Sequence, residues 1–350
     1  MRASLRLVSL TILWLIIAIF AAAQQPPAPP ASAAASLRNQ ELELRLKAAL
    51  AKSSGVWGVS VKHLEKNEFA GIHETQKFQM ASVFKIPVLV ELFTQVKQGK
   101  IRLEDRVEWR DPQRYFGSGV LVTMQPGAQL TLRDLATLMI ILSDNAATDM
   151  ICERIGTPNI TARMIALGVM NTSVEAGTRD LILRALGLRS ADDQKLTTDS
   201  IRAVDWAGRA KEIEEARRKF LDECPNCTTP ADMTLLLEKV ARFEVTDHEL
   251  TDQMLRILSL QQFNQRLPRL IPLGIRFDHK TGTLNAPVWV VNDAGILYFP
   301  NGHRAVVSVF SRGAEMNQSG AETKIAIANA EDRIAEIGKI VWDFYSAERK

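Results

Sequence analysis

The run Ser82-Val83-Phe84-Lys85-Ile86-Pro87 sets a hydroxyl and an amine three residues apart. On a helix that spacing puts both on one face. A serine alcohol attacks a carbonyl only when a neighbouring group takes its proton, and a buried lysine near other cations has a pKa low enough to do so. A helix beginning at Ser82 would also aim its first N–H groups at the charge that develops on a carbonyl oxygen. Pro87 removes a helical hydrogen bond, but it falls early in the helix, where the loss is tolerated. Among the chain's serines, Ser82 alone has a lysine three residues on.

The pattern changes on either side of this run. Before it, residues 38–52 carry Leu42, Leu46 and Leu50 at helical spacing, which predicts an amphipathic helix. Residues 55–63 alternate Val56, Trp57, Val59 and Val61 with smaller residues and read as a strand, with 68–73 returning as its hairpin partner. After it comes a long helical middle. Thr131-Leu132-Arg133-Asp134 and Thr229-Pro230-Ala231-Asp232 mark two helix starts by their capping patterns. Strands return at 274–280, 288–299 and 304–311, and a last helix at 323–345 places Ile327, Ile334, Ile337, Val341 and Phe344 on one face. The expectation is an α/β (α+β) fold. Strands from the two ends join in one antiparallel sheet, terminal helices pack on it, and the helical middle forms an inserted lobe. A cleft between the lobes is the natural place for a substrate.

Two further runs follow the first in order. Ser143-Asp144-Asn145 falls between two helices, in a tight loop. Ser143 is placed to shuttle a proton to a leaving group, and Asn145 to orient Lys85 and donate to a substrate amide; the same residues also make ordinary turns. His279-Lys280-Thr281-Gly282-Thr283 ends a strand. Gly282 lets a ligand approach the backbone. Lys280 and Thr281 are candidates to hold a carboxylate, and the N–H of Thr283 can complete an oxyanion hole with that of Ser82. All three runs in this order arise by chance on the order of once in a thousand chains or fewer.

This trio resembles the signature of class A β-lactamases and penicillin-binding proteins. The resemblance runs from about residue 38 to the C-terminus and includes Thr229-Pro230-Ala231-Asp232-Met233, Phe84-Lys85-Ile86-Pro87 and Asp293-Ala294-Gly295. It implies a five-stranded antiparallel sheet with an inserted all-helical lobe, and a cleft holding Ser82, Lys85, Ser143, Asn145, Lys280, Thr281 and Thr283. The expected activity is hydrolysis of a β-lactam amide through an acyl-enzyme on Ser82, without metal or other cofactor. A D,D-peptidase, an esterase or a penicillin-sensing member of the superfamily fits the same motifs.

The chain departs from the family in two places. The Ω-loop glutamate that activates the deacylating water, with its asparagine four residues on, has no match between Asn145 and Thr229. The interval from Ser143 to Lys280 is longer than usual by roughly thirty residues, and such insertions belong on the surface. Counting from either side leaves the deacylation base unassigned, with Glu175, Asp180 and Glu212 as candidates and Glu214 and Glu215 as members of solvated helix pairs. Residues 284–297 lack the arginine that many class A enzymes use to bind the substrate carboxylate; Arg276 is either its replacement or a surface charge.

The 350 residues and 46% apolar content allow a sizeable core, and a net charge of +3 with scattered basic residues gives no nucleic-acid footprint. Residues 1–23 read as a signal peptide cleaved after Ala23, with an uncleaved anchor as the alternative, and 24–36 as a Pro/Ala-rich tether. Residues 37–350 are then a secreted or periplasmic catalytic domain, expected as a monomer, with a sheet lobe at 37–78 and 264–350 and a helical lobe at 79–263. Cys224-Pro225-Asn226-Cys227 is a local loop clip or two free thiols; a zinc site would need partners that neither cysteine nor histidine spacing supplies. Cys152 falls in an apolar helix and reads as core.

Overall fold

The computed structural model describes residues 36–111, 114–314, 316 and 320–347. The expected signal peptide, its expected cleavage point and all of the expected tether but Ser36 lie outside the described residues. The first part of the fold comprises β1 (Leu37–Arg38), α1 (Gln40–Leu50), β2 (Val56–His63) and β3 (Glu68–Ile72). The middle runs β4 (Phe78–Gln79), a 3-10 turn Ala81–Phe84, α2 (Lys85–Lys97), β5 (Arg106–Glu108), β6 (Gln129–Thr131), α3 (Leu132–Ile141), α4 (Asn145–Ile155) and α5 (Thr157–Ala166). It continues with α6 (Thr178–Leu186), α7 (Ala210–Glu223), β7 (Cys227–Thr228), α8 (Pro230–Ala241) and α9 (His248–Ser259). The last part is β8 (Phe277–Leu284), β9 (Val290–Tyr298), β10 (Arg304–Arg312) and α10 (Gly320–Ser346).

The main sheet has the order β1-β3-β2-β10-β9-β8. Its two halves join where β2 pairs antiparallel with β10, Val59 opposite Val309 and Val61 opposite Val307. The five expected strands are therefore contiguous and antiparallel. The two-residue β1 adds to the β3 edge in parallel. Alternation decides which side chains go where. Val307 and Val309 of β10 pack with Leu42, Leu46, Ile334, Ile337 and Val341 of the terminal helices. Val306 and Phe310 face the other way, into the core shared with Phe78, Met233 and Leu237. Burying each such side chain contributes on the order of 2 kcal/mol.

Capping fixes the helices that position the cleft. Thr131 and Asp134 form the full reciprocal box at the start of α3. Thr229 accepts from Asp232 N at 3.1 Å ahead of Pro230. Asp144 caps α4 through Ala147 N at 3.0 Å and also accepts from Val120 N and Leu121 N at 2.7 and 3.0 Å.

The chain between Ala176 and Cys224 leaves and returns through one neck. Ser173 N donates to Cys227 O at 2.9 Å, and the Thr172 and Thr228 hydroxyls meet at 2.6 Å. Asn226 Oδ1 accepts from Glu175 N and Ala176 N at 2.8 and 3.0 Å, while its Nδ2 donates to Ala176 O at 2.8 Å. Met80 N donates to Asn226 O at 3.0 Å, so the neck touches the chain two residues before Ser82. Cys224 and Cys227 are joined, which selects the loop clip over two free thiols. Cys152 is unbonded and buried, with its thiol pushed up by burial.

Candidate active site

Ser82 sits in the 3-10 turn, not in the α-helix that the spacing predicts; α2 begins at Lys85. The turn opens at Ala81, whose φ of 45° is unusual for a residue with a Cβ. That bend delivers Ser82 to the mouth of the buried helix. Lys85 is fully buried and is the first residue of α2. Its Nζ donates to Ser143 O at 2.8 Å, to Ser143 Oγ at 3.0 Å and to Asn145 Oδ1 at 2.9 Å. Three acceptors match the three N–H bonds of an ammonium. Burial nevertheless lowers its pKa to about 7, against the pull of Asp149 and Asp144.

The second run is shaped to meet this lysine. Ser143 adopts φ 54° after α3, and Asn145 opens α4. Asn145 Nδ2 donates to Phe116 O at 2.8 Å, which fixes its amide with the oxygen toward Lys85. Ser118 Oγ donates to Ser143 O at 2.8 Å.

The third run comes alongside from β8, an edge strand whose outer backbone groups have no sheet partner. A Cβ on Gly282 would lie 2.6 Å from Met80 O, 2.9 Å from Val83 N and 3.0 Å from Ser82 N. Only a glycine lets the two backbones approach so closely. Thr281 and Thr283 face the cleft. Lys280 is buried beneath it and donates to Thr281 O at 2.8 Å. Burial, then Lys85 and Arg266, hold its pKa well below that of an ordinary lysine, with Asp293 opposing.

These groups surround a cavity of about 540 Å³. Ser82, Ser143, Asn145, Thr281 and Thr283 all line it, and Lys85 lies in hydrogen-bond contact with two of them. The wall opposite the sheet is α6, which contributes Thr178, Leu181, Ile182, Ala185 and Leu186.

The candidate bases Glu175, Asp180 and Glu212 are not brought to this cavity. Glu175 is exposed at the neck. Asp180 pairs with Arg184 at 2.7 Å beside a separate surface pocket. Glu212 is held by Arg209 at 2.9 Å. Asp180 and Glu212 are turned toward nearby arginines on the outside of the excursion. Arg276 is likewise outside, paired to Asp278 at 2.6 Å and set over the Tyr298 ring.

Arg266 is the residue that the sequence reading missed. It enters from the loop before β8, where no local pattern marks it. It is 5% exposed, and all five of its N–H bonds are engaged. Nη1 donates to Gly282 O and Asn292 O at 2.8 and 2.7 Å, Nη2 to Thr283 Oγ1 at 2.5 Å, and Nε and Nη2 to Glu331 Oε1 at 3.3 and 3.1 Å. Because Thr283 Oγ1 accepts from Arg266, its own O–H is left to donate into the cleft.

One further grouping was not legible from spacing. His63, Glu65 and His303 bring ligand-type atoms within 4.8 Å of one another. None of them lines the cavity. Glu65 is already bound by Arg304 N and Nε at 2.7 and 3.0 Å, and His63 Nδ1 accepts from Lys66 N at 3.1 Å.

Residues 41–345 match the family model described as the β-lactamase enzyme family. The β-lactamase CARB-3 of Pseudomonas aeruginosa is 23% identical over 91% of this chain and 94% of its own length. The extended-spectrum β-lactamase PER-1 of the same organism is 24% identical over 83% and 86%. Among solved structures, PBP-A superposes with a TM-score of 0.69 at 22% identity, covering 89% of this chain and 98% of that one. A β-lactamase from Sphaerobacter thermophilus DSM 20745 gives 0.68 at 25% identity over 88% and 98%.

Proposed function

The chain belongs to the β-lactamase enzyme family, and from that premise we propose that it is an exported serine hydrolase that opens a β-lactam amide through an acyl-enzyme on Ser82. Residues 1–23 are its signal peptide, 24–36 its tether and 37–350 its catalytic domain. The single observation that carries the reading is the double convergence on the Ser82 turn. Lys85 reaches Ser143 and Asn145 from one side, and Gly282 abuts Ser82 N from the other.

In this reading the neutral Lys85 amine takes the Ser82 proton as Oγ adds to the amide carbon. The N–H groups of Ser82 and Thr283 hold the oxyanion. The proton then passes from Lys85 through Ser143 Oγ to the departing nitrogen, the C–N bond breaks, and the acyl group stays on Ser82. Thr281 and Thr283 donate hydroxyl hydrogen bonds to the substrate carboxylate, and the positive charge of Arg266 behind them favours the anion. Turnover of nitrocefin by the purified protein and its loss in Ser82→Ala test this reading; equal turnover by both would remove it.

A second reading is supported by α6. Where a deacylating carboxylate is expected, this wall presents Leu181, Ile182, Ala185 and Leu186. A D,D-peptidase, esterase or penicillin-sensing protein can acylate with the same machinery and release slowly. A variant of PBP-A, similar in fold, has itself been captured as an acyl-enzyme complex with penicillin G. One burst of lactam opening with a lasting adduct on Ser82 separates this reading from the first.

A further inference from the structure

Among the described residues that line the cavity, Arg266 is the one cation and Glu331 the one carboxylate. They arrive from different elements. Arg266 comes from the loop before β8, and Glu331 from α10. Ala330, Ile334, Ile337 and Val341 bury one face of α10 in the core of the sheet. That stripe pins the helix. Glu331 follows Ala330 and stands at the edge of the stripe, with its side chain 30% exposed.

The two charges are used unequally. All five N–H bonds of the buried arginine are taken up by the protein. Glu331 Oε1 receives both of the bonds that Arg266 gives this carboxylate, from Nε at 3.3 Å and from Nη2 at 3.1 Å. Glu331 Oε2 accepts from no described residue. A carboxylate oxygen accepts hydrogen bonds and attracts cations, so this one remains available to a ligand. Nη2 of Arg266 is shared between Glu331 Oε1 and Thr283 Oγ1. The carboxylate of Glu331 therefore lies one guanidinium nitrogen away from a hydroxyl placed to meet the carboxylate of a substrate. That end of the cavity pairs a site for an anion with an acceptor for a cation.

We propose that Glu331 is a specificity residue for zwitterionic lactams, those that carry a fixed positive charge beside their carboxylate. The inference rests on the acyl-enzyme reading above. The substrate carboxylate meets Thr281 and Thr283, and the neighbouring cation meets Glu331 Oε2. A substrate with a neutral group there gains nothing from Glu331, and one with a second anion is repelled. Glu331 touches a part of the substrate that does not react, so it acts on capture and leaves the bond-breaking steps to Ser82, Lys85 and Ser143. Because the carboxylate is partly exposed, the contact has the modest strength of a surface ion pair.

Cephaloridine and cephalothin test this. They share one acyl side chain and one carboxylate and differ at the 3′ substituent, which is a pyridinium in the first and a neutral acetoxy group in the second. Loss of lactam absorbance at low substrate, under single-turnover conditions, gives the second-order acylation rate for each. Their intrinsic reactivities cancel when the cephaloridine-to-cephalothin ratio is compared between proteins. Glu331→Gln keeps an acceptor for Arg266 and removes the charge, and the ratio should fall about fivefold. A change in the hold on the shared carboxylate falls on both substrates alike. Asp332→Asn, next in sequence but paired with Arg269 at 2.7 Å away from the cavity lining, should keep the wild-type ratio. The gap between wild type and Glu331→Gln should shrink as salt rises from about 0.01 M to about 1 M, because added ions screen an exposed charge pair. Equal ratios in the two proteins overturn the inference. So does a gap that salt leaves unchanged, which marks Glu331 as only a packing partner of Arg266. Absence of any adduct on Ser82 with either cephalosporin overturns the acyl-enzyme reading itself.

Discussion

Gly282 and Met80 meet backbone to backbone. A Cβ at Gly282 would stand 2.6 Å from Met80 O and 3.0 Å from Ser82 N. Two segments from opposite ends of the chain therefore share one position that no side chain can enter, and the Ser82 and Thr283 N–H groups flank it. Gly282→Ala has to push the Ser82 turn or the edge strand aside. The expected result is a fall in acylation rate on the order of 100-fold, the size of losing one oxyanion donor. Gly320→Ala, which meets nothing within 4 Å, should leave that rate unchanged. Stopped-flow acylation by nitrocefin measures both.

The pH dependence of acylation follows from Lys85. Its folded pKa of about 7 lies below the ordinary lysine value because burial disfavours the ammonium. Below that pH the nitrogen is charged and has no lone pair; above it the amine is a base. Acylation should therefore rise as pH rises through about 7 and then level. Lys85→Ala should be slow and flat over the same range. Single-turnover rates between about pH 5 and about pH 9 check the direction.

Arg266 supports the cleft from behind. Removing its side chain leaves Gly282 O and Asn292 O without its donors and Glu331 without its cation. Arg266→Ala should cost about 3 kcal/mol or more, read as a lower urea midpoint. It should also weaken binding of carboxylate-bearing lactams, because Thr283 loses the bond that fixes its hydroxyl. Arg276→Ala leaves the buried Asp278 with only the Tyr298 hydroxyl, so it too should lower the urea midpoint, but it should leave lactam binding unchanged.

The neck gives a separate prediction. Asn226 is fully buried at φ 55° and ties the approach to α6 to the chain before Ser82. Asn226→Ala strips the acceptor from Glu175 N and Ala176 N and places an ordinary side chain at positive φ. A loss of about 2 kcal/mol is expected, with faster hydrogen exchange across 177–223 than across the sheet. Uniform exchange would show that the neck does not restrain the excursion.

The strands, the terminal helices and the capped starts at Thr131 and Thr229 were legible because alternation, helical spacing and caps are local signals. The convergence of Ser82, Ser143 and Gly282 was legible only through the trio of motifs, since nothing local says that they meet. Arg266 was not legible, because it acts through backbone carbonyls that leave no mark in sequence. Glu175, Asp180 and Glu212 drew attention as carboxylates at family spacing, but the lengthened excursion shifts that spacing and turns them outward.

The most direct test of the central claim is peptide mapping of the protein after brief exposure to benzylpenicillin. A single penicilloyl group is expected on the peptide carrying Ser82, absent from Ser82→Ala. A modified residue elsewhere, or lactam opening that continues without Ser82, would contradict it.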